Sequence, residues 1–300
     1  MRTPVYNLPA AWQTRVSDWR PIAVAASVTI LVAVAAPSQM LRMLIAAAAM
    51  AGLVFAIVAI RSARRPSAVR TRIIDTLPAV SWLGDVPLMP GGRLSAGVGG
   101  FVREPRMTTS MHAVAARLPG ASRRDSRRIL FTSATSGAGK TTIAMNTAAA
   151  LARTHRVLLI DANLRVPGLS RALNLATYDG GLSELIARAA PYRACLALTG
   201  TPNLHVIRSG SLPADPGDVL LSTRLERTLA LSMRYYDRVI IDSPALSDCS
   251  DAATLAALVD DVVLVVDAQR PGFEDVTRAR ETLNRVNANI AGFVLNKVSD

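Results

Sequence analysis

The sequence predicts an α/β protein, with a doubly wound, mostly parallel sheet that is preceded by a transmembrane helical hairpin. Three observations predict this fold. Apolar runs that end in aspartate alternate with helical segments after residue 128, a loop of small residues joins one such run to a helix, and two long apolar runs lie within the first 60 residues. Continuous runs of branched aliphatic residues suit strands that are covered on both faces, as in a parallel sheet.

The apolar region spans residues 21–60 and is interrupted at Pro37–Arg42. Its second run, Met43–Ile60, is long enough to cross a bilayer at about 1.5 Å per residue, and the first run does so if it borrows residues from the break. Arginines flank the pair on both sides, and the positive-inside rule then places both ends in the cytoplasm. We therefore predict a cytoplasmic segment over residues 1–20 and a hairpin over residues 21–60. A single long span and a cleaved signal peptide are the alternatives.

The net charge of +12 is distributed unevenly. Residues 1–128 hold 17 arginines and 5 acidic residues, whereas residues 129–300 hold 17 basic and 17 acidic residues. Because the excess arginines flank an apolar region, the expected partner is the cytoplasmic membrane, and no nucleic acid is expected. The two cysteines and three histidines are scattered without the spacing of a metal site.

A basic, partly flexible linker is predicted over residues 61–125, because glycine and proline interrupt it repeatedly. A helix near Met111–Leu118 is the one element expected within it. The folded domain is predicted over residues 126–300.

The stretch Ile129–Ile143 combines a strand, a loop and the start of a helix. Within it, Ala134-x-x-x-x-Gly139-Lys140-Thr141 fits a phosphate-binding loop with alanine in place of the first glycine. Small residues let backbone N–H groups close around a phosphate, and the helix N-terminus adds positive potential. Lys140 can reach the β- and γ-phosphates, and the hydroxyl of Thr141 can bind Mg²⁺. The residues of this loop predicted to bind nucleotide are Ser136, Gly137, Ala138, Gly139, Lys140, Thr141 and Thr142.

Two further predicted strands, Val157–Asp161 and Arg238–Asp242, each end in a carboxylate. In open α/β sheets, the carboxyl ends of the strands form the edge where ligands bind. Asp161 and Asp242 are therefore candidates to hold Mg²⁺ and to orient the attacking group. With Lys140 they form the predicted catalytic set, and with Thr141 the predicted metal set.

The rest of this region alternates between strands and helices, which predicts helices on both faces of a parallel sheet. Further strands are expected at Leu204–Arg208, Asp261–Val266 and Ala291–Leu295. Helices are expected at Lys140–Thr154, after Gly181, and at Asp251–Val259 and Phe273–Val286, and the segment Asp215–Tyr236 is expected to be mainly helical.

Residues 126–298 resemble the cytoplasmic domain of the bacterial tyrosine kinases, the autokinases of capsule and exopolysaccharide co-polymerases, which belong to the same P-loop superfamily as the partition and septum-site ATPases. The resemblance rests on the runs Thr132–Thr142, Leu158–Gly168, Ser209–Pro216, Tyr236–Pro244 and Gly292–Val298. Leu77–Pro87 is also similar to the segment that follows the membrane spans in these kinases.

The resemblance implies ATP and Mg²⁺ as cofactors, and either hydrolysis of ATP or transfer of its γ-phosphate to protein tyrosine. It implies a location in the bacterial inner membrane with the ATPase domain in the cytoplasm. The polysaccharide synthesis and export machinery would be the partner, and a homo-oligomer the assembly. It also places Asn296 where relatives contact the adenine.

Several residues depart from the family pattern. Asn163 stands where the family has the second aspartate of Asp-x-Asp-x-Arg, which is thought to accept the tyrosine proton, and an amide cannot act as that base. The subunit-contact motif Glu-x-x-Arg-x-x-Arg is reduced to Met111-x-x-Val114-x-x-Arg117. The tyrosine-rich tail and the large external domain of related co-polymerases are expected to be absent. Transfer to tyrosine and ring assembly are therefore in question, whereas hydrolysis is less affected.

Three functions stay open. The first is a membrane-anchored ATPase of the kinase type that regulates polysaccharide synthesis, and the second is a nucleotide-binding scaffold without kinase activity. The third is a positioning ATPase similar to the septum-site and partition proteins, which carry an extra lysine at the position of Thr135. Tyr235 and Tyr236 are acceptor candidates by residue type alone, and packing is their expected role.

Overall fold

The computed structural model describes Met50, Gly52 and residues 68–89, 104–119, 127–173 and 180–299. Residues 68–299 belong to the second of the two units into which the chain divides, Arg65–Asp300. The predicted segment 1–20 and the predicted hairpin lie outside the described residues, apart from Met50 and Gly52, which are helical. Within the part of the chain that is described, no helix combines the length and the apolar character needed to cross a membrane.

One sheet forms the centre of the unit, with eight strands among the described residues. They are β1 Trp82–Pro87, β2 Arg127–Ser133, β3 Val157–Asp161, β4 Leu196–Leu198, β5 Leu204–Ile207, β6 Arg238–Asp242, β7 Asp261–Asp267 and β8 Ile290–Val298. Their spatial order is β1-β8-β7-β2-β6-β3-β5-β4. All neighbours are parallel except β4, which runs antiparallel to β5 at one edge. The prediction of a mostly parallel α/β sheet is confirmed.

Helices connect these strands. They are α1 at residues 68–76, α2 Pro105–Arg117, α3 Lys140–Leu151, α4 Leu169–Ala172, α5 Leu182–Ala187, α6 Pro216–Leu220, α7 Thr223–Ser232, α8 Asp251–Ala256 and α9 Phe273–Arg285. The prediction that Asp215–Tyr236 is mainly helical is confirmed, and the segment consists of two helices, because α6 ends at Leu220 and Ser222 caps the start of α7. The hydroxyl of Ser222 accepts a hydrogen bond from the N–H of Arg224 at 3.2 Å, which is a typical N-terminal cap.

The strands at the centre of the sheet are buried on both faces. Every residue of β3, β6 and β7 is buried, as expected for strands between two layers of helices. Successive side chains of β2 alternate between the layers, with Ile129 and Phe131 in one apolar cluster and Leu130 in another. This rigid centre fixes the loops that follow β2, β3 and β6 at one edge of the sheet.

The segment predicted to be a linker contributes to the sheet domain wherever it is described. β1 pairs in parallel with β8 and extends the sheet by one strand, and Ile73 and Leu77 bury their side chains completely. The guanidinium groups of Arg70 and Arg117 both lie over the ring of Trp82, at 4.7 and 4.9 Å from the ring centre. The boundary predicted at residue 126 is therefore corrected, because the domain already includes α1, β1 and α2.

Helix α2 carries two of the residues that stand at the family's subunit-contact positions, Met111 and Val114, and their side chains pack into the core. Met111 and Val114 are 2 % and 0 % exposed. We expect Val114→Arg to destabilise the full chain by about 3 kcal/mol or more, because the new charge would be buried without a partner. Denaturant titration followed by circular dichroism measures this. Ala116→Arg, at an exposed position of the same helix, should change the stability by less than about 0.5 kcal/mol; equal stability of the two variants would contradict the packing of α2.

Candidate nucleotide-binding site

The phosphate-binding loop lies between the carboxyl end of β2 and the start of α3. Gly137 and Gly139 have φ values of +79° and +90°, a region that favours glycine. No side chain caps α3 at Gly139, so backbone N–H groups of its first turn are available to an anion. Lys140 begins the helix with its side chain largely buried, at 8 % exposure. The predicted loop therefore has the geometry of a phosphate cradle.

The residues predicted to hold Mg²⁺ come together beside this loop. The Thr141 hydroxyl donates a hydrogen bond to Oδ2 of Asp242 at 2.7 Å, and Asp161 is the register partner of Asp242 across β3 and β6. Oδ1 of Asp242 is buried without a hydrogen-bond partner among the described residues. Mg²⁺ binds through one or two carboxylates, with water and phosphate oxygens completing an octahedron. The residues present fit such an ion.

Burial shifts the protonation of this carboxylate pair. Burial and the charge of Asp242 raise the pKa of Asp161 to about 8, against hydrogen bonds from the N–H groups of Asn163 and Leu169. Burial also raises the pKa of Asp242 to about 7, although the Thr141 hydrogen bond and the charge of Lys140 oppose the rise. The metal-free pair therefore retains protons that a bound cation would displace.

This pair predicts a pH dependence. Because the folded chain holds protons here that the unfolded chain releases above pH about 4, the pair's contribution to stability falls as the pH rises from about 4 to about 8. Mg²⁺ needs the ionised form, so its stabilisation increases over the same range. We expect Mg·ADP to raise the melting temperature more at pH 8 than at pH 5.5. Asp242→Asn should remove most of that difference, and an equal shift at both pH values would be inconsistent with a protonated pair.

The end of β8 supports the loop from one side. Asn296 is buried, and its side-chain nitrogen donates to the carbonyl of Ala138 at 2.8 Å. Lys297, in a left-handed conformation with φ +60°, donates from Nζ to the carbonyl of Gly137 at 2.7 Å and to Asp267 at 2.6 Å. Asn296, predicted for the adenine, thus lies against the loop backbone. Sequence reasoning missed Lys297; the available signal was that one of two lysines in the chain directly follows Asn296.

The loop after β3 is held by its own side chains. Oδ1 of Asn163 accepts a hydrogen bond from the N–H of Val166 at 3.2 Å, so its amide oxygen closes a local turn. Two guanidinium nitrogens of Arg165 donate to the two carboxylate oxygens of Asp251 at 2.8 and 3.0 Å. This bidentate pair joins the loop after β3 to the start of α8.

The other predicted residues lie as follows. The hydroxyl of Ser136 donates to Asp248 at 2.5 Å, a contact that the sequence did not indicate. The carbonyl of Thr142 accepts a hydrogen bond from the side chain of Asn146 inside α3.

Tyr236, a candidate phosphate acceptor by residue type, is buried. Its hydroxyl is hydrogen-bonded to the ring of His205 at 2.8 Å, and burial raises the pKa of the hydroxyl to about 12. Because it precedes β6, it lies at the sheet edge opposite the loop, where it packs.

Comparisons with known proteins agree with this geometry. A family model described as the CobQ/CobB/MinD/ParA nucleotide binding domain matches residues 129–300. The tyrosine-protein kinase YwqD of Bacillus subtilis is 32 % identical over 174 residues, which cover 58 % of this chain and 73 % of that protein. Tyrosine-protein kinase CpsD of Streptococcus agalactiae is 29 % identical over 178 residues, covering 59 % and 78 %.

Solved structures extend the likeness to the fold. The chimerical protein CapA2B2 superposes with a TM-score of 0.67 at 25 % identity, covering 76 % of this chain and 98 % of that one. The kinase domain of the Escherichia coli tyrosine kinase ETK gives a TM-score of 0.65 at 26 % identity, covering 74 % and 91 %. The septum-site protein MinD of Pyrococcus horikoshii, solved with Mg-ADP, shares the fold with a TM-score of 0.50 at 24 % identity, covering 57 % and 70 %.

Proposed function

The chain belongs to the CobQ/CobB/MinD/ParA nucleotide-binding domain family and, within it, to the bacterial tyrosine-kinase type, and from that premise we propose that it is a membrane-anchored ATPase that regulates exopolysaccharide or capsule synthesis and export. One observation supports the ATPase activity in this proposal: Thr141 and Asp242 are in contact beside a loop that is followed directly by Lys140. These are the groups that phosphoryl transfer needs for positioning and charge neutralisation.

In this proposal the loop binds ATP and the chain's side chains act on its terminal phosphate. Backbone N–H groups of the loop and of the first turn of α3 orient the phosphates. Lys140 neutralises charge that develops on the γ-phosphate, and Thr141 and Asp242 would hold Mg²⁺, which would neutralise further charge on the phosphates. Asp161 accepts hydrogen bonds from two backbone N–H groups, and it would add a negative charge next to Asp242 once a bound cation has displaced the protons of the pair.

The cellular setting is also a proposal. The two apolar runs within residues 21–60 and their flanking arginines support a multi-pass anchor in the bacterial inner membrane, with the ATPase domain in the cytoplasm. The polysaccharide synthesis and export machinery is the proposed partner. The ATP-bound state favours one association state, a homo-oligomer or a contact with that machinery, and turnover of ATP ends it.

A second candidate is a nucleotide-binding scaffold without kinase activity. Asn163 favours it, because the amide replaces the carboxylate expected at that position and its oxygen already closes a turn. A septum-site or partition role has no comparable support, since Thr135 occupies the position of the extra lysine in those proteins.

A time course with γ-labelled ATP tests the proposal. The detergent-solubilised full chain is incubated with Mg·ATP, and both free phosphate and label on tyrosine are followed, with Lys140→Ala as the control. Label on tyrosine that is lost in the control supports kinase activity, and free phosphate without protein label supports an ATPase. Nucleotide binding without either product would support the nucleotide-binding scaffold instead, and absence of nucleotide binding would refute the proposal.

A further inference from the structure

Replacement of the family's second aspartate by Asn163 leaves the site without its expected proton acceptor. The other described carboxylates around the loop are already engaged. Asp161 accepts two backbone hydrogen bonds, and Asp242 accepts from Thr141. Asp251 is paired with Arg165, and Asp267 is paired with Lys297. All four are buried, at 9 % exposure or less, so none is free to meet an attacking water or hydroxyl group.

Asp248 is different, because it is exposed and its carboxylate contacts the phosphate-binding loop from the segment that follows β6. Its Oδ2 accepts a hydrogen bond from the hydroxyl of Ser136 at 2.5 Å, and its Oδ1 accepts from the hydroxyl of Ser247 at 2.9 Å. Both donors are side chains of exposed serines, which water can exchange with. The carboxylate is therefore close to the cradle and also accessible from solvent.

The backbone after β6 fixes this position. The N–H of Leu246 donates to the carbonyl of Ser133 at 2.9 Å, and the N–H of Ser247 donates to the carbonyl of Ala134 at 3.1 Å. The segment after Asp242 thus runs beside the first residues of the loop and holds Asp248 against them.

The order of the strands indicates from which side of the phosphate-binding loop Asp248 approaches. β2, which carries the loop, lies between β7 and β6. Asn296 and Lys297 support the loop from the side of β7 and β8, whereas Asp242 and Asp161 lie on the side of β6 and β3. The residues that would hold Mg²⁺, Thr141 and Asp242, are in contact on the side of β6, so the terminal phosphate, whose charge such an ion would neutralise, is expected on that side. Asp248 comes from that side.

We propose that Asp248 is the general base of the reaction, in the role that Asn163 cannot fill. This inference rests on the proposed function. As the oxygen of the attacking water bonds to the γ-phosphorus, the bond from that phosphorus to the β–γ bridging oxygen breaks and its electron pair leaves with ADP. Asp248 takes the proton that the water loses and passes it to solvent, so the products are ADP and phosphate. A tyrosine hydroxyl that reaches the same position loses its proton to Asp248 in the same way.

Single-turnover hydrolysis at saturating Mg·ATP, together with nucleotide affinity, tests this role in the full chain. Asp248→Asn should slow the chemical step by about 100-fold or more while affinity changes by less than about twofold, because a base acts in the transition state. Asp248→Glu should keep a larger part of the rate than Asp248→Asn. Asp218→Asn, which removes an exposed carboxylate on α6, is the matched control and should leave both quantities unchanged.

A second variant separates the base from a structural role. Asn163→Asp in the Asp248→Asn background should recover at least about tenfold of the lost rate, since it returns a carboxylate to the family's position. A rate for Asp248→Asn within about threefold of the unmodified chain would overturn the inference, and so would equal losses of rate and affinity. If turnover depends on Lys140 and not on Asp248, only this inference fails; if it depends on neither, the proposed function fails as well.

Discussion

Lys140→Ala is expected to lower kcat/KM for ATP by about 1,000-fold, the largest effect of any single substitution in the chain. Lys140 begins α3 beside the loop, and its charge acts on Asp242, which is completely buried. Removal of the ammonium group leaves the γ-phosphate charge and the buried carboxylates without their main cation. Steady-state hydrolysis, with label on tyrosine followed in parallel, measures the loss.

The second lysine of the chain provides a matched comparison. Lys297 also contacts the loop, but it donates a hydrogen bond to the carbonyl of Gly137, and its charge is neutralised by an ion pair with Asp267. Lys297→Ala should therefore weaken nucleotide affinity by about tenfold through a looser loop and leave kcat within about threefold. If the two variants lost kcat equally, Lys140 would have no special role in the transition state.

The central sheet was predictable because its strands are long apolar runs. Helices cover both faces of β2, β3, β6 and β7, so nearly every residue of these strands is buried and most of these residues are apolar, which the sequence shows directly. β1 was missed because an edge strand needs no such run; it includes Gly84 and Pro87, and two arginines contact the ring of its Trp82. Such contacts between residues distant in sequence leave no periodic pattern.

The site divides in the same way. Lys140, Thr141, Asp161 and Asp242 were predictable, because a loop pattern and strand ends place them at one edge of the sheet. Asp248 and Lys297 were not, because each reaches the loop by a fold-dependent path, through the chain after β6 and through the end of β8. The order β8-β7-β2-β6 shows that they reach the same loop from strands on opposite sides of β2.

Gly139→Ala is expected to weaken nucleotide binding by about 100-fold or more. At φ +90° an added Cβ is strained, and it would lie 2.2 Å from the side-chain nitrogen of Asn296. Asn296 cannot move away without losing its hydrogen bond to Ala138, which shapes the cradle. The left-handed conformation alone costs roughly 1–2 kcal/mol, about tenfold in affinity, and the collision adds to it. Titration of Mg·ADP by calorimetry measures the change.

Gly137→Ala isolates the conformational part of this effect. Gly137 has a similar φ of +79°, but an added Cβ there would meet no atom within 4 Å. Its loss of affinity should therefore stay near tenfold. Gly139→Ala combined with Asn296→Ala removes the collision but also the hydrogen bond to Ala138, so it should bind less tightly than Gly137→Ala. Equal affinity of the Gly137→Ala and Gly139→Ala variants would mean that Asn296 yields freely, and the support of the loop by β8 would then have no energetic basis.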